Sequence, residues 1–441
     1  MESGTSSRSR RRDLAVRRAV REGLLDPEEA PLAAFLDLDG IGRSVAALHA
    51  AWPPGVEVLH AFAAKANCLV PVLRLLREQG MGCEVASPGE LAQAFAAGYA
   101  PQQLVLDSPV KTRAELAAAL AAGVAVNIDN FEELARVDQL VAAGSPGSPG
   151  GRIGIRINPQ VGTGSIKAVS TAGRTGKFGV PLADPGARER LLDAYRAHPW
   201  LRWAHVHVGS QGIPLELVGA GVAEVLGLAE EVERERPGQI EGIDVGGGLA
   251  VDFGSDEDSP AFADHVAALR AAAPALFSGR YRVVTEFGRS LLAKNGFLAS
   301  RVEYTKSSGG RLIALTHAGA QVAARTAFAP EAWPLRVIAY DSGGGPSRAE
   351  QAVQDVAGPC CFAGDLLAVG RNLPLLAPGD LVVVPDTGAY CFSTPFSYNS
   401  LPEPPVYGFT VGAGGAVSFT LLRAAQTIAE VVARSNTGTT V

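Results

Sequence analysis

A (β/α)8 barrel followed by an all-β domain is the fold class this sequence predicts, and three observations carry it. Between His60 and Arg289 short apolar runs alternate with alanine- and leucine-rich stretches, the pattern of βα units around a parallel sheet. The apolar runs number eight, the count that closes such a barrel. After about Ala293 the texture changes to β-branched and apolar runs separated by Pro and Gly.

Taken in order, the chain begins with the basic run Ser7-Arg8-Ser9-Arg10-Arg11-Arg12, read as a solvated, poorly ordered tail. Residues 1–40 are expected to form this tail and a segment packing on the β domain, 41–292 the barrel, and 293–441 the β domain. The barrel strands are His60–Ala66, Gly82–Ser87, Leu104–Ser108, Ala125–Asp129, Ile153–Asn158, Ala204–Ser210, Gly242–Gly247 and Val283–Gly288. Helices such as Gly89–Ala97 and Arg113–Ala122 carry apolar residues at helical spacing and stop at glycine. Gly144–Gly151, GSPGSPGG, reads as a flexible surface loop. In the β domain the strands expected are Leu335–Tyr340, Asp380–Val384, Val406–Thr410 and Ala416–Leu421.

Composition narrows the function. With 441 residues, 47% of them hydrophobic, the chain can bury a large core. Its 39 Lys and Arg against 45 Asp and Glu leave a net charge of −6, without the basic excess of a nucleic-acid binder, so the expected partner is a small molecule. No run is long and apolar enough to span a bilayer, and the basic start leads into charged sequence through Arg21 instead of a signal core; the expected location is the cytoplasm. Five cysteines, with Cys360 and Cys361 adjacent and no Cys-x-x-Cys pair, argue against a disulfide framework, and no metal site is expected.

The predicted strands end in Lys65, Glu84, Asp107, Asp129, Arg156, His207, Gly246–Gly248 and Glu286, and in a barrel those ends share the face that carries active sites. Solvation of loops accounts for Asp107 or Asp129, but poorly for Lys65 inside an apolar run. Between Ala64 and Ala66, Lys65 is placed where desolvation favours a neutral amine able to form a Schiff base. Gly246-Gly247-Gly248 after one strand and Gly288-Arg289 after the next are two candidate phosphate cradles. Glu286 can pair with the ring nitrogen of an electron-accepting cofactor while His207 stacks on its face. Each has a plainer reading too: a glycine run is commonly a tight turn, and a lone His or Glu a satisfied core group.

Eight motifs together go further: AAKAN around Lys65, CEVASPGEL at Cys83–Leu91, GKFGV at Gly176–Val180, HVHVGSQ at His205–Gln211, DVGGG at Asp244–Gly248, EFGRS at Glu286–Ser290, GPCCFAGD at Gly358–Asp365 and PGDLVVVPDTGAYCFS at Pro378–Ser393. They resemble the ornithine/diaminopimelate/arginine decarboxylase family, fold type III pyridoxal phosphate enzymes that pair an alanine-racemase-type barrel with a C-terminal β-sandwich or barrel-like domain. The resemblance implies that Lys65 is the Schiff-base lysine, that His207 stacks on the ring and that Glu286 meets its nitrogen. It further implies that Ser210, Gly247, Gly248, Gly288 and Arg289 hold the phosphate with Tyr390 closing over it, and that Glu84 and Arg156 lie near the ring. Cys361 matches a proton-donating cysteine supplied by the neighbouring subunit, which implies a homodimer with two shared sites. Arg325, Phe362, Asp365 and Tyr390 occupy substrate-contacting positions.

The chain departs from the family pattern in three places, of which the first two concern the substrate and the third the local backbone more than the chemistry. Where relatives place a glutamate or aspartate after the active-site cysteine, this chain has Phe362, which cannot hold an ammonium by charge. Arg325 matches an arginine for the distal carboxylate, but the tyrosine expected with it is Ala329, beside Phe328, and Thr316–Gln321 replaces an Asp-Ala-Gly-Met-Asn-Asp type segment. EFGR stands where Glu-Pro-Gly-Arg is usual. The stretch from Gly358 to Asp380 is similar to decarboxylases of siderophore and antibiotic pathways, which implies a conjugated or carrier-tethered amino acid. The alternatives are a diaminopimelate decarboxylase of lysine biosynthesis, an amino-acid racemase or epimerase on the same fold, and a non-catalytic regulatory or cofactor-binding homologue.

Overall fold

A computed structural model describes residues 7–144 and 152–435; all but the first residue of the Gly144–Gly151 loop lies outside the described residues. The chain divides into two compact units. One comprises Ser44–Val251 and Ser259–Ser290, the other Met1–Arg43, Asp252–Asp258 and Leu291–Val441.

The first unit is a closed parallel barrel. Its strands are β1 (Val58–Ala63), β2 (Gly82–Val85), β3 (Leu104–Asp107), β4 (Ala125–Ile128), β5 (Ile153–Asn158), β6 (Trp203–His205), β7 (Gly242–Asp244) and β8 (Arg282–Thr285). Each pairs in parallel with the next, and β8 pairs with β1 to close the ring. All eight runs expected from the sequence form barrel strands. All but Ile153–Asn158 stop sooner than expected because the polar and glycine residues at their ends turn the chain into loops; after β1 the turn Ala64–Ala66 takes over. The strands are buried nearly throughout, as a sheet covered on both faces requires. The helices between them are locally specified. Thr112 and Glu115 form a reciprocal cap at the start of Arg113–Ala122, and Gly123, at φ 78°, ends it in the left-handed conformation.

Trp203 plugs one level of the barrel, packed with Ala61, Val105, Ala125 and Val284. It fits because its neighbours are glycines: a Cβ on Gly242 would lie 2.2 Å from the indole, and one on Gly154 3.0 Å from the Trp203 Cβ. With the apolar filling concentrated there, the strand ends are left to polar side chains.

The second unit is one mixed nine-stranded sheet. At its middle Leu32–Asp37 runs antiparallel to the long strand Gly296–Ser308 and parallel to Val406–Val411. Phe35 stacks on Phe297 at 4.9 Å and anchors a core with Phe409, Tyr340 and Val383. The four strands expected here form within a few residues of their expected bounds, and Leu32–Asp37, Gly296–Ser308, Arg311–Thr316, Gln351–Ala357 and Leu366–Pro374 join them.

The basic start is a correction. Ser7–Arg21 is a helix and no solvated tail: Ala15, Val16 and Ala19 are fully buried in the sheet's core, and Arg11 pairs with Asp37 at 2.5 Å and with Asp39 at 2.5 Å. The charge run drew attention away from the apolar stripe behind it, whose spacing of one and four residues is that of a buried helix face. Among the described residues no helix is long and apolar enough to cross a membrane.

Candidate active site

The C-terminal strand ends of the barrel carry one buried polar layer. Glu84 on β2, Asp107 on β3, Arg156 on β5, His205 on β6, Asp244 on β7 and Glu286 just past β8 are each no more than 5% exposed. The period-two alternation of strands aims one residue per strand inward at this level. Arg156 Nη1 lies 2.6 Å from Asp107 Oδ2. Asn127 Nδ2 donates to Asp244 Oδ2 at 2.9 Å.

Lys65 sits in the turn that follows β1 and donates to both oxygens of Glu84, at 2.8 and 2.7 Å. The desolvation expected of the lysine falls instead on its partner: the Lys65 side chain is 42% exposed and that of Glu84 is 0%. Burial pushes the Glu84 carboxyl up to about 7, against the pull of Lys65. Burial, followed by the negative charge of Asp244, pushes Glu286 well above the ordinary carboxyl range, and its Oε1 has no hydrogen-bond partner among the described residues. Burial works against the charge on Asp107, yet Arg156 and His205 hold this group well below that range.

Part-buried His207 is held neutral, first by burial and then by Arg156 and Lys65. The backbone N–H of Gly247 donates to its Nδ1 at 3.0 Å, which leaves the ring proton on Nε2. His207 thus presents a flat, uncharged ring fixed to the glycine loop.

That loop owes its glycines to crowding as much as to any ligand. Gly246 and Gly248 have φ of 67° and 106°. A Cβ on Gly247 would stand 2.1 Å from the Glu286 carbonyl oxygen, and one on Gly248 2.0 Å from that of Gly209. A Cβ on Gly288 would meet that of Ala66 at 2.9 Å. Ser210, Gly247, Gly248, Glu286, Gly288 and the Lys65 turn are therefore neighbours, with buried Arg289 next in the chain.

The remaining sequence-predicted residues belong to the other unit. Cys361 is exposed, its N–H donating to Asn399 Oδ1 at 2.7 Å. Phe362 stacks on Phe328 with centroids 5.3 Å apart and planes 3° from parallel, and Tyr398 meets it edge-on at 5.3 Å. Phe396 completes the cluster, stacked on Tyr398 at 5.6 Å. The Arg325 guanidinium lies over the Tyr390 ring at 4.4 Å and over Trp333 at 5.1 Å. Asp365 corrects its assignment as a substrate contact. It is 3% exposed, and its oxygens accept from the N–H groups of Ala320 at 2.5 Å and Cys360 at 2.6 Å, so it braces the loop that carries Cys361.

Sequence reasoning passed over His205 and Asp244, and gave Asp107 to loop solvation. A signal existed: His205 precedes His207 by two residues and so points the same way from an extended segment, and Asp244 opens the glycine motif.

Residues 38–293 match the family model described as "Pyridoxal-dependent decarboxylase, pyridoxal binding domain". The chain is 33% identical to the diaminopimelate decarboxylase of Pseudomonas aeruginosa over 350 residues, 78% of this chain and 80% of that one. It is 30% identical to the Escherichia coli K12 diaminopimelate decarboxylase over 390 residues, 84% and 87% of the two chains. The crystal structure of Helicobacter pylori diaminopimelate decarboxylase complexed with L-lysine superposes with a TM-score of 0.80 at 25% identity, covering 95% of this chain and all of that one.

Proposed function

The chain belongs to the pyridoxal-dependent decarboxylase family, and from that premise we propose that it decarboxylates an amino acid whose far end is bulky and uncharged. The barrel residues fit the cofactor. Lys65 offers a part-exposed amine, Glu286 a buried oxygen without a hydrogen-bond partner among the described residues, and His207 a neutral ring beside the glycine loop. Lys65, Glu84, Arg156, His207, Ser210, Gly247, Gly248, Glu286, Gly288 and Arg289 would hold it, with Tyr390. When bound, pyridoxal phosphate supplies a ring that takes up the electron pair left on Cα as the carboxylate departs. Glu84, with its proton affinity raised to about 7, can accept the proton that Lys65 must lose to become a nucleophile. Glu286 can share its proton with the ring nitrogen. Cys361 returns a proton to Cα, and each copy of a homodimer lends this thiol to the other.

The substrate reading rests on one observation, that the residue after Cys361 presents an aromatic face. Phe362 lies parallel to Phe328 within the Phe396 and Tyr398 cluster, a surface suited to an apolar or conjugated group and unsuited to an ammonium. Such a substrate belongs to specialised metabolism of the siderophore or antibiotic kind. A second reading, diaminopimelate decarboxylation, is favoured by the relatives and by Arg325, a cation able to pair with a distal carboxylate. Carbon dioxide release from meso-diaminopimelate and from amino acids with acyl or aryl distal groups separates the two. The expected result is preference for the conjugated substrates, with no gain in their turnover on Phe362→Glu. Equal or better turnover of meso-diaminopimelate by the unaltered chain would overturn it.

A further inference from the structure

His205 ends β6 and is 0% exposed, yet its ring faces three carboxylates carried by three other strands. Nδ1 is 3.3 Å from both the backbone oxygen and Oδ1 of Asp244; Nε2, which makes no hydrogen bond among the described residues, is 3.4 Å from Asp107 Oδ2 and 4.0 Å from Glu286 Oε2. A neutral imidazole carries a single N–H, so only the doubly protonated ring can offer hydrogens to acceptors on both sides.

Charge balance leads to the same place. The layer holds four carboxylates, Glu84, Asp107, Asp244 and Glu286, against two cations of its own, Lys65 on Glu84 and Arg156 on Asp107. Asp244 and Glu286 have no lysine or arginine partner among the described ion pairs, and His205 is the nearby group that can supply the missing charge. Burial opposes that charge, but Asp244, Glu286 and Asp107 together hold His205 protonated well above the ordinary histidine range. Beside this third cation, Glu286, pushed well above the ordinary carboxyl range by burial and Asp244 and with Oε1 lacking a hydrogen-bond partner among the described residues, is the carboxyl that keeps its proton.

We propose that His205 is a positioning residue, a buried imidazolium that ties Asp107, Asp244 and Glu286 together and leaves Glu286 able to pass its proton to the ring nitrogen of the bound cofactor. The groups around it are Asp107 from β3, Asp244 from β7 and Glu286 past β8, with His207 also within its electrostatic reach and Arg156 of β5 and Lys65 acting on Asp107. The proposal rests on the cofactor reading of the barrel and is independent of the substrate. Asp107, His205 and Glu286 are also of metal-ligating type, their atoms within 4.8 Å of one another. Arg156, at 2.6 Å from the same Asp107 oxygen, makes that spot poor for a divalent cation.

Two measurements test it. The chain has seven histidines, so ring-15N-histidine labelling gives a countable spectrum in which His205→Asn identifies the signal that disappears. In the cofactor-loaded protein and in the protein stripped of cofactor, the His205 signal should show both nitrogens protonated through about pH 8, where a free histidine is neutral. A ring with one bare nitrogen at neutral pH, whether free or metal-bound, would overturn the proposal. In the loaded His205→Asn protein the pH midpoint of the lysine-linked cofactor's visible band should move by about one unit or more, a tenfold change in proton affinity. An unmoved midpoint would overturn it as well. Should the variant fail to fold or to load, the wild-type nitrogen spectrum decides, its signal assigned through His205→Gln.

Discussion

Glu84 shows how burial writes pH dependence into a single residue. Its carboxyl is raised from 4.5 to about 7, chiefly by burial. The folded chain therefore binds this proton more tightly than the unfolded chain does. The stability this contributes is complete below about pH 4.5 and is lost as pH rises through about 7. Glu84→Gln cannot titrate, so urea unfolding of the cofactor-free variant should show a shallower fall in unfolding free energy between about pH 5 and about 8 than the parent. Equal slopes would mean that Glu84 is not the titrating group. The contrast with Asp107 shows what was legible at this scale. Lys65, His207 and Glu286 stood out because their motifs surrounded them. Asp107, one acidic residue ending an apolar run, is indistinguishable in sequence from a solvated loop residue, and its role comes from Arg156 and His205, 49 positions and roughly twice that away along the chain.

At the scale of elements, glycines that look alike in sequence do opposite things. Gly247 lies where the loops past β7 and β8 cross, with room for no Cβ. Gly247→Ala should cost about 1–3 kcal/mol through displaced backbone and weaken cofactor binding, read by urea melts and by titration of the visible band. Gly227 sits inside the helix Leu215–Glu235 with nothing within 4 Å of the position of a Cβ. Gly227→Ala should stabilise by about 0.5–1 kcal/mol and leave cofactor affinity unchanged. The same reasoning explains which elements the sequence revealed. Barrel strands and capped helices are specified by their own residues, whereas the helix Ser7–Arg21 looks unfolded until Asp37, Asp39 and the buried sheet supply partners for its arginines and its apolar stripe.

At the scale of the whole molecule, the fold class was legible because the βα period is local and repeats, while an assembly of copies leaves no period to read. The proposed homodimer is nonetheless open to a direct test. In a two-fold dimer each copy stands in the same relation to the other, so a residue lent by one copy is lent by both. If Lys65 acts in one copy and Cys361 comes from its partner, Lys65→Ala and Cys361→Ala homodimers are each inactive for a different reason. Mixed in equal amounts and allowed to exchange subunits, half of the dimers become hybrids, and each hybrid has one site lacking both groups and one retaining both. Carbon dioxide release should then recover to about a quarter of the wild-type rate. If both groups act within one copy, every site in the mixture lacks one of them, so the rate stays at the background of the separate variants. A mixture that remains inactive after exchange has been verified by native mass spectrometry would therefore exclude a shared site.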